Sequence, residues 1–398
     1  MIKKIKRNIW IDYVFRFTCS FDLSASIWVL YLVSKGLPLW QIGILEGIFH
    51  IVSFLSEIPS GAIADIIGRK KAMIISRVCC TLASGLMIFT NNLWILVLSF
   101  ALSAWGYNFL SGSEEALVYD SLKEAGKKEE FLKVSGKLEI IINIAQSASL
   151  LLGGFLAEVS FFYCYLVASV ISIISLIPCL FLTEPMKSRE KSSNKLLFTD
   201  QLITSFQYIR KDKKVIEILM SYSIIFTLYT ISYLYGQEYF SQLGLSKDKI
   251  GMIMFFVGIV DCIGAANSEK IAKKFGEYAK ILSIMLIAIG TIGVVAGNML
   301  IVIICFGIMG GAVTILYPIQ SEALNRIIPS EQRATIISAN SMMFSMYMLI
   351  LFPIAGIIGD TFGLKMVFII LSSIELALSF YFWILQTKQV TNEKESSN

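Results

Sequence analysis

The strongest constraint on this chain is a pattern that repeats along its whole length. Apolar runs of about twenty residues, each long enough to cross a bilayer as a helix, alternate with short polar turns. Hydrophobic residues fill 56% of the 398 positions, charged residues only 16%, and mean hydropathy is +0.72. A soluble domain of this length has no use for so much apolar surface, so lipid is the solvent. Spans are expected at approximately 9–32, 42–66, 72–90, 93–118, 134–157, 161–183, 214–240, 250–272, 279–297, 299–325, 333–353 and 363–386. The predicted fold class is an all-α membrane protein with twelve transmembrane helices.

Charge fixes the orientation. Of the 34 Lys and Arg, 28 fall in the two termini and in alternate loops. Lys35, Lys247, Lys249 and Lys365 lie in the opposite loops, and Arg16 and Arg77 lie within helices. Cytoplasmic loops carry the cationic excess, so both termini are expected in the cytoplasm of a cell (inner or plasma) membrane. The opposite turns, Gly36-Leu37-Pro38, Thr90-Asn91-Asn92 and Ala296-Gly297-Asn298, leave no room for an outer domain. The basic Met1–Arg7 precedes an apolar run without a small-residue cleavage site, which predicts a retained first helix instead of a signal peptide.

Several chemistries are excluded. The seven cysteines stand in apolar runs at no metal or redox spacing, and there is one histidine, so no metal site is expected. A phosphate-binding glycine loop with its Lys-Ser/Thr is missing, as is a nucleophile elbow, so neither ATP hydrolysis nor other enzyme activity is expected. No cofactor and no nucleic-acid partner are predicted.

The chain repeats internally. Leu37–Gly68 lies on Leu245–Gly276 without a gap, Glu115-Ala116-Leu117 matches Glu322-Ala323-Leu324, and Gly154–Glu158 resembles Gly356–Asp360. Between the halves, 187–213 holds a Ser/Lys/Asn-rich stretch in which Leu196, Leu202, Ile203, Phe206 and Ile209 recur at helical spacing. Either a short helix on the inner membrane face or a charged linker fits.

One turn carries a more specific signal. Gly61, Asp65, Gly68, Arg69, Lys70 and Lys71 join two apolar runs, directly after Glu57-Ile58-Pro59-Ser60. This turn resembles the loop between the second and third helices of the major facilitator superfamily of secondary transporters, in a form taken by many bacterial members. The resemblance covers the whole chain through the repeat. It implies two six-helix bundles, 1–186 and 214–398, joined by a cytoplasmic linker at 187–213, with a substrate site between them near the midplane. It also implies that Asp65 lies near the cytoplasmic start of the eleventh helix, whose free N–H groups favour an anion. Arg333 stands there too, so the expected gate is Gly61, Asp65, Gly68, Arg69, Lys70 and Arg333. The second copy of the turn is degraded, with Lys273 and Glu277 in place of Asp65 and Arg69.

Ionisable groups inside a membrane helix are costly and usually face a protein interior or a wet cavity. Glu46, His50, Ser53 and Glu57 share one face of the second helix. They fit a proton path with His50 as relay; Glu46 equally fits the headgroup region and Glu57 a brace for the turn. Asp22 and Asp261 lie near mid-membrane and complete the proton-coupling candidates, whereas Asp12 and Arg16 are spaced to pair. Glu375 is as deep but falls on a helix that is peripheral in the family. Glu139, Asn143 and Gln146 form one face of the fifth helix, either a cavity wall or a helix–helix contact. Asn108, Tyr229, Tyr233 and Tyr317 fall on helices that line the central cavity in the family, and such surfaces suit flat, partly apolar ligands.

Two departures bear on mechanism. Ser149-Leu150 replace the Gly-Pro of drug/proton antiporters, although Gly153-Gly154 remain. The fourth-helix arginine of proton-coupled members is absent, and Asn108 and Ser111 occupy that face. The expected function is proton-coupled export of an amphipathic small molecule, for instance an antibiotic such as tetracycline or a macrolide, by a monomer in the bilayer. Nutrient uptake by proton symport, lipid translocation and a non-transporting sensor stay open as alternatives.

Overall fold

The computed structural model describes residues 2–25, 27–185, 213–276, 278–327 and 333–396, and every described regular element is helical. The helices are α1 (Ile2–Ser20), α2 (Trp28–Ser34), α3 (Leu39–Ile67), α4 (Arg69–Phe89), α5 (Leu93–Glu124), α6 (Phe131–Val159), α7 (Phe161–Ile174) and α8 (Leu176–Phe181). After them come α9 (Lys213–Gln242), α10 (Lys247–Phe275), α11 (Tyr278–Gly293), α12 (Met299–Ile327), α13 (Arg333–Phe362) and α14 (Leu364–Ser396). Ten stretches among the described residues are long and apolar enough to cross a membrane, and α11 is a shorter apolar helix. The linker and the surface helix expected in it lie outside the described residues.

The first expected span, 9–32, is not one helix. It breaks between α1 and α2, and Asp22 explains the break: one carboxylate oxygen accepts both the backbone N–H (2.9 Å) and the hydroxyl (2.6 Å) of Ser24. Such a local side-chain bond offers the backbone a turn in place of helix. Asp22 is exposed within this turn. The sixth span divides more mildly at Ser175, between α7 and α8.

The helix ends follow ordinary capping chemistry. Asn92 accepts from the N–H of Trp94 (2.9 Å), Ser160 from that of Phe162 (3.2 Å), and Asn298 from that of Leu300 (3.0 Å). Between α3 and α4, Gly68 takes φ +99°, a conformation that strains any residue with a Cβ.

The chain forms two compact units. The first comprises Met1–Leu37, Ile44–Asp200 and Gly244–Met252. Here α4 packs lengthwise on α5, and Gly106 makes this possible: a Cβ there would lie 2.6 Å from Cys80 Sγ. Ser76 donates to the carbonyl of Gly106 at 2.6 Å. Phe15, Met73, Leu110, Leu117, Cys179 and Leu182 form a core beside this contact. The buried Asn8 amide donates to Ser121 Oγ and the Thr183 carbonyl, and its oxygen accepts from the Thr183 N–H, fastening α1 to α5 and to the end of α8. Gly154 and Gly251 face each other so closely that a Cβ on Gly154 would lie 2.7 Å from the Gly251 Cα. Beside them, Glu158 accepts from the N–H of Lys247 (2.9 Å) at the start of α10.

The second unit comprises Pro38–Gly43, Gln201–Leu243 and Ile253–Asn398. In it α11 packs on α12 and α14, and α9 on α13. Tyr235 stacks on Phe352 at 4.7 Å, both fully buried. Glu375 of α14 is also fully buried. Asp360, at the end of α13, accepts from the N–H groups of Leu39 (2.9 Å) and Trp40 (2.8 Å), and a Cβ on Gly43 would lie 2.6 Å from the Pro353 Cα. The same recipe therefore occurs in both units: a carboxylate on a helix N-terminus, backed by a glycine crossing. Large apolar side chains such as Phe89, Trp94 and Phe362 remain exposed on the described surface, as a lipid environment requires.

Candidate functional site

The site in the second unit grows from a close crossing of α10 and α12. Gly264 on α10 and Gly310 and Gly311 on α12 have no side chains to hold these helices apart; a Cβ on Gly264 would meet Thr314 Oγ1 at 2.5 Å. Thr314 donates to the carbonyl of Asp261 at 2.9 Å, and the Asp261 carboxylate lies where a Gly310 side chain would otherwise be. Its Oδ1 is buried without a hydrogen-bond partner. Phe306 and Tyr317 stand one turn before and two turns after Gly310, on the same face of α12 that the Asp261 carboxylate meets. Tyr229 and Tyr233 follow one another along α9 with ring centroids 6.0 Å apart. Tyr233 stacks on Phe306 (6.0 Å), and Tyr317 stacks on Phe226 (4.3 Å). Four residues expected separately from the sequence, Asp261 and three tyrosines, thus form one cluster. Tyr317 is 49% exposed, so the cluster opens on one side.

In the first unit the polar face of α3 divides into two parts. Glu46 and His50 pair at 3.5 Å, with His50 buried and its ring edge-on to Phe49. Ser53 donates to Asn108 Oδ1 (2.9 Å), and the Asn108 amide returns to the Ser53 carbonyl (2.6 Å) and Ser56 Oγ (2.9 Å). Asn108 is therefore a buried tie between α3 and α5. Glu57, next to Ser56 in the chain, is half-buried, and Ser60 donates to its carbonyl. Glu139, Asn143 and Gln146 are all exposed on one face of α6.

Reading the sequence missed two arrangements. Arg16 forms its ion pair with the buried Glu114 of α5 and not with Asp12. Asp12 is fully buried beside this pair with neither carboxylate oxygen hydrogen-bonded. The four-residue spacing of Asp12 and Arg16 suggested a local pair, whereas Glu114 inside the apolar α5 was the overlooked signal. The second arrangement concerns the turn motif. Glu184 accepts the N–H groups of Arg69 (2.8 Å) and Lys70 (2.9 Å), the first amides of α4, and Lys70 Nζ donates to the carbonyl of Leu180 (2.7 Å). The open N–H groups of a helix start favour such an anion. Gly61 stands exposed near the end of α3. The side chains of Asp65 and Arg333 lie outside what the structure describes. No metal-binding group of three or more His, Cys, Asp or Glu occurs among the described residues.

Comparison with known proteins agrees with this architecture. The profile of the Major Facilitator Superfamily matches residues 14–296 and 281–398. An MFS-type transporter of Bacillus subtilis, YxaM, is 25% identical over 355 residues, covering 87% of each chain. The class C tetracycline resistance protein of Escherichia coli is 22% identical over 248 residues, 61% of this chain and 60% of that one. Among solved structures, the nucleoside transporter NupG (D323A mutant) superposes with a TM-score of 0.82 at 14% identity, covering 96% of this chain and 99% of its own. A D-xylose–proton symporter does so with a TM-score of 0.70 at 14% identity, covering 94% and 96%. At these identities the solved structures speak for the fold.

Proposed function

The chain belongs to the Major Facilitator Superfamily, and from that premise we propose that it exports an amphipathic small molecule in exchange for protons, by alternating access. In this reading the chain works as two six-helix halves, 1–186 and 214–398, with its cationic termini and loops on the cytoplasmic side. The observation that carries the reading is Asp261, a carboxylate inside a membrane-spanning stretch, with one buried oxygen unengaged and set against the face of α12 that bears Phe306 and Tyr317. Such a group is costly in lipid and is retained where it handles charge. Similarity to the class C tetracycline resistance protein favours export. The Glu46–His50 pair is the candidate proton relay in the first half, and the Gly61–Lys70 turn is the candidate gate. Asp22 shapes the break in the first span, and it stays a candidate for charge handling in the first half. The partners are a small molecule, protons and lipid, and the protein acts as a monomer.

A susceptibility panel with and without the gene tests this reading. Expression raises tolerance to at least one amphipathic antibiotic, and Asp261→Asn, produced at the same level in the membrane, abolishes the gain. Growth rescue on a scarce nutrient with no change in susceptibility would replace export by uptake. A wild-type protein that moves nothing in vesicles carrying an imposed pH gradient would remove transport altogether.

A further inference from the structure

We propose that the Asp261 cluster recognises an organic monocation with an apolar body, such as an amine, a quaternary ammonium or a phosphonium. The proposal rests on the transporter reading above and narrows its substrate to one charge class.

The internal repeat shows what is unusual at this position. Laying Leu37–Gly68 on Leu245–Gly276 without a gap sets Ser53 opposite Asp261. Both residues join the corresponding helices in their own units. Ser53 does so with neutral hydrogen bonds to Asn108 that engage its side-chain oxygen. At Asp261 the tie is made by the backbone carbonyl, which accepts from Thr314. The side chain is thereby released from structural duty, and Oδ1 has no partner. No cationic side chain among the described residues offsets its charge. In the first unit Glu114 already has Arg16, and the other unpartnered acids, Asp12 and Glu375, are fully buried, whereas Asp261 is half-buried. The second unit thus holds an acid that the fold does not need and the chain does not neutralise.

The surroundings select the ligand that does neutralise it. The carboxylate lies against Gly310, on the face of α12 that bears Phe306 and Tyr317, and these rings stack on Tyr233, which adjoins Tyr229, and on Phe226. Aromatic faces are electron-rich and attract cations, most strongly where water is excluded. A carboxylate among such faces stabilises a positive head while the rings cover an apolar body. An organic anion meets repulsion from Asp261. A polyhydroxylated neutral ligand needs several fixed donors and acceptors, whereas this cluster is mostly ring surface. A small inorganic cation needs several oxygen ligands, and among the described residues no metal-binding group of three or more His, Cys, Asp or Glu includes Asp261.

Two ions of the same shape and opposite charge, tetraphenylphosphonium and tetraphenylborate, test the proposal by equilibrium binding to the purified full-length protein in lipid nanodiscs. The phosphonium binds and the borate does not. Asp261→Asn weakens phosphonium binding about tenfold or more, and Tyr233→Leu also weakens it, as expected for a charge and a ring face contacting one cation. Asp261→Glu keeps the charge and restores binding, which covers the case in which the asparagine variant fails to fold. Glu375→Gln removes a buried acid elsewhere in the unit and leaves binding unchanged. Equal affinity for the borate, or phosphonium binding indifferent to Asp261→Asn in a folded protein, overturns the proposal. Vesicles that move neutral or anionic compounds while the phosphonium fails to bind would remove the cation class and leave transport standing. Intact phosphonium binding without movement of any compound would do the reverse.

Discussion

Arg16 and Glu114 stand 98 positions apart in the chain, and their ion pair fixes what neighbouring residues tolerate. Removing one partner of a buried pair leaves the other charge without compensation, at a cost of about 3–5 kcal/mol. Arg16→Met is therefore expected to lower the thermal midpoint of the purified protein sharply. Asp12→Asn removes a buried carboxylate that has no hydrogen-bond partner, so it is expected to leave that midpoint level or raise it. An Arg16→Met protein as stable as the Asp12→Asn one would show that the pair contributes nothing. Single residues were the least legible scale in the sequence. Asp261, Tyr229, Tyr233 and Tyr317 stood out because polar groups in apolar runs are rare, and three-dimensional proximity then joined them. The partner of Arg16 did not stand out, because helical spacing reveals only neighbours on the same helix.

At the scale of elements, the apolar runs located nearly every helix, since the requirement to satisfy backbone groups in lipid leaves few alternatives to helix. The sharpest exception was the first span. Composition alone reads 9–32 as continuous, but the bond from Ser24 to Asp22 competes with the helix over two residues, a range that hydropathy averages away. The turn motif was legible as a pattern, although its fastening was not. Glu184 lies 115 positions beyond Arg69, past the sixth expected span, where no local spacing links it to the turn. Losing its carboxylate leaves two amides at the start of α4 without an acceptor, a loss of about 0.5–2 kcal/mol. Glu184→Ala is accordingly expected to speed hydrogen exchange at the first turn of α4, with Glu184→Gln intermediate. Unchanged exchange there would mean that the contact does not fasten the helix.

For the whole molecule, the distribution of cations predicts orientation independently of any site. A fluorescent protein fused after Asn398 is expected to fluoresce in a bacterial host, and a periplasm-dependent phosphatase at the same point to stay inactive. The opposite pair of results would invert the topology. The repeat was legible over Leu37–Gly68 because the segment aligns without a gap, and the structure gives that alignment a physical meaning through its duplicated glycine crossings and carboxylate caps. One of those caps has a consequence for how the molecule is made. Asp360 and Leu39 are 321 positions apart. Synthesis proceeds from the N-terminus, so the ribosome releases α3 into the bilayer long before the residue that completes its first turn exists. Until then water at the membrane edge must hold the amides of Leu39 and Trp40, and the third helix is finished only when the penultimate one arrives.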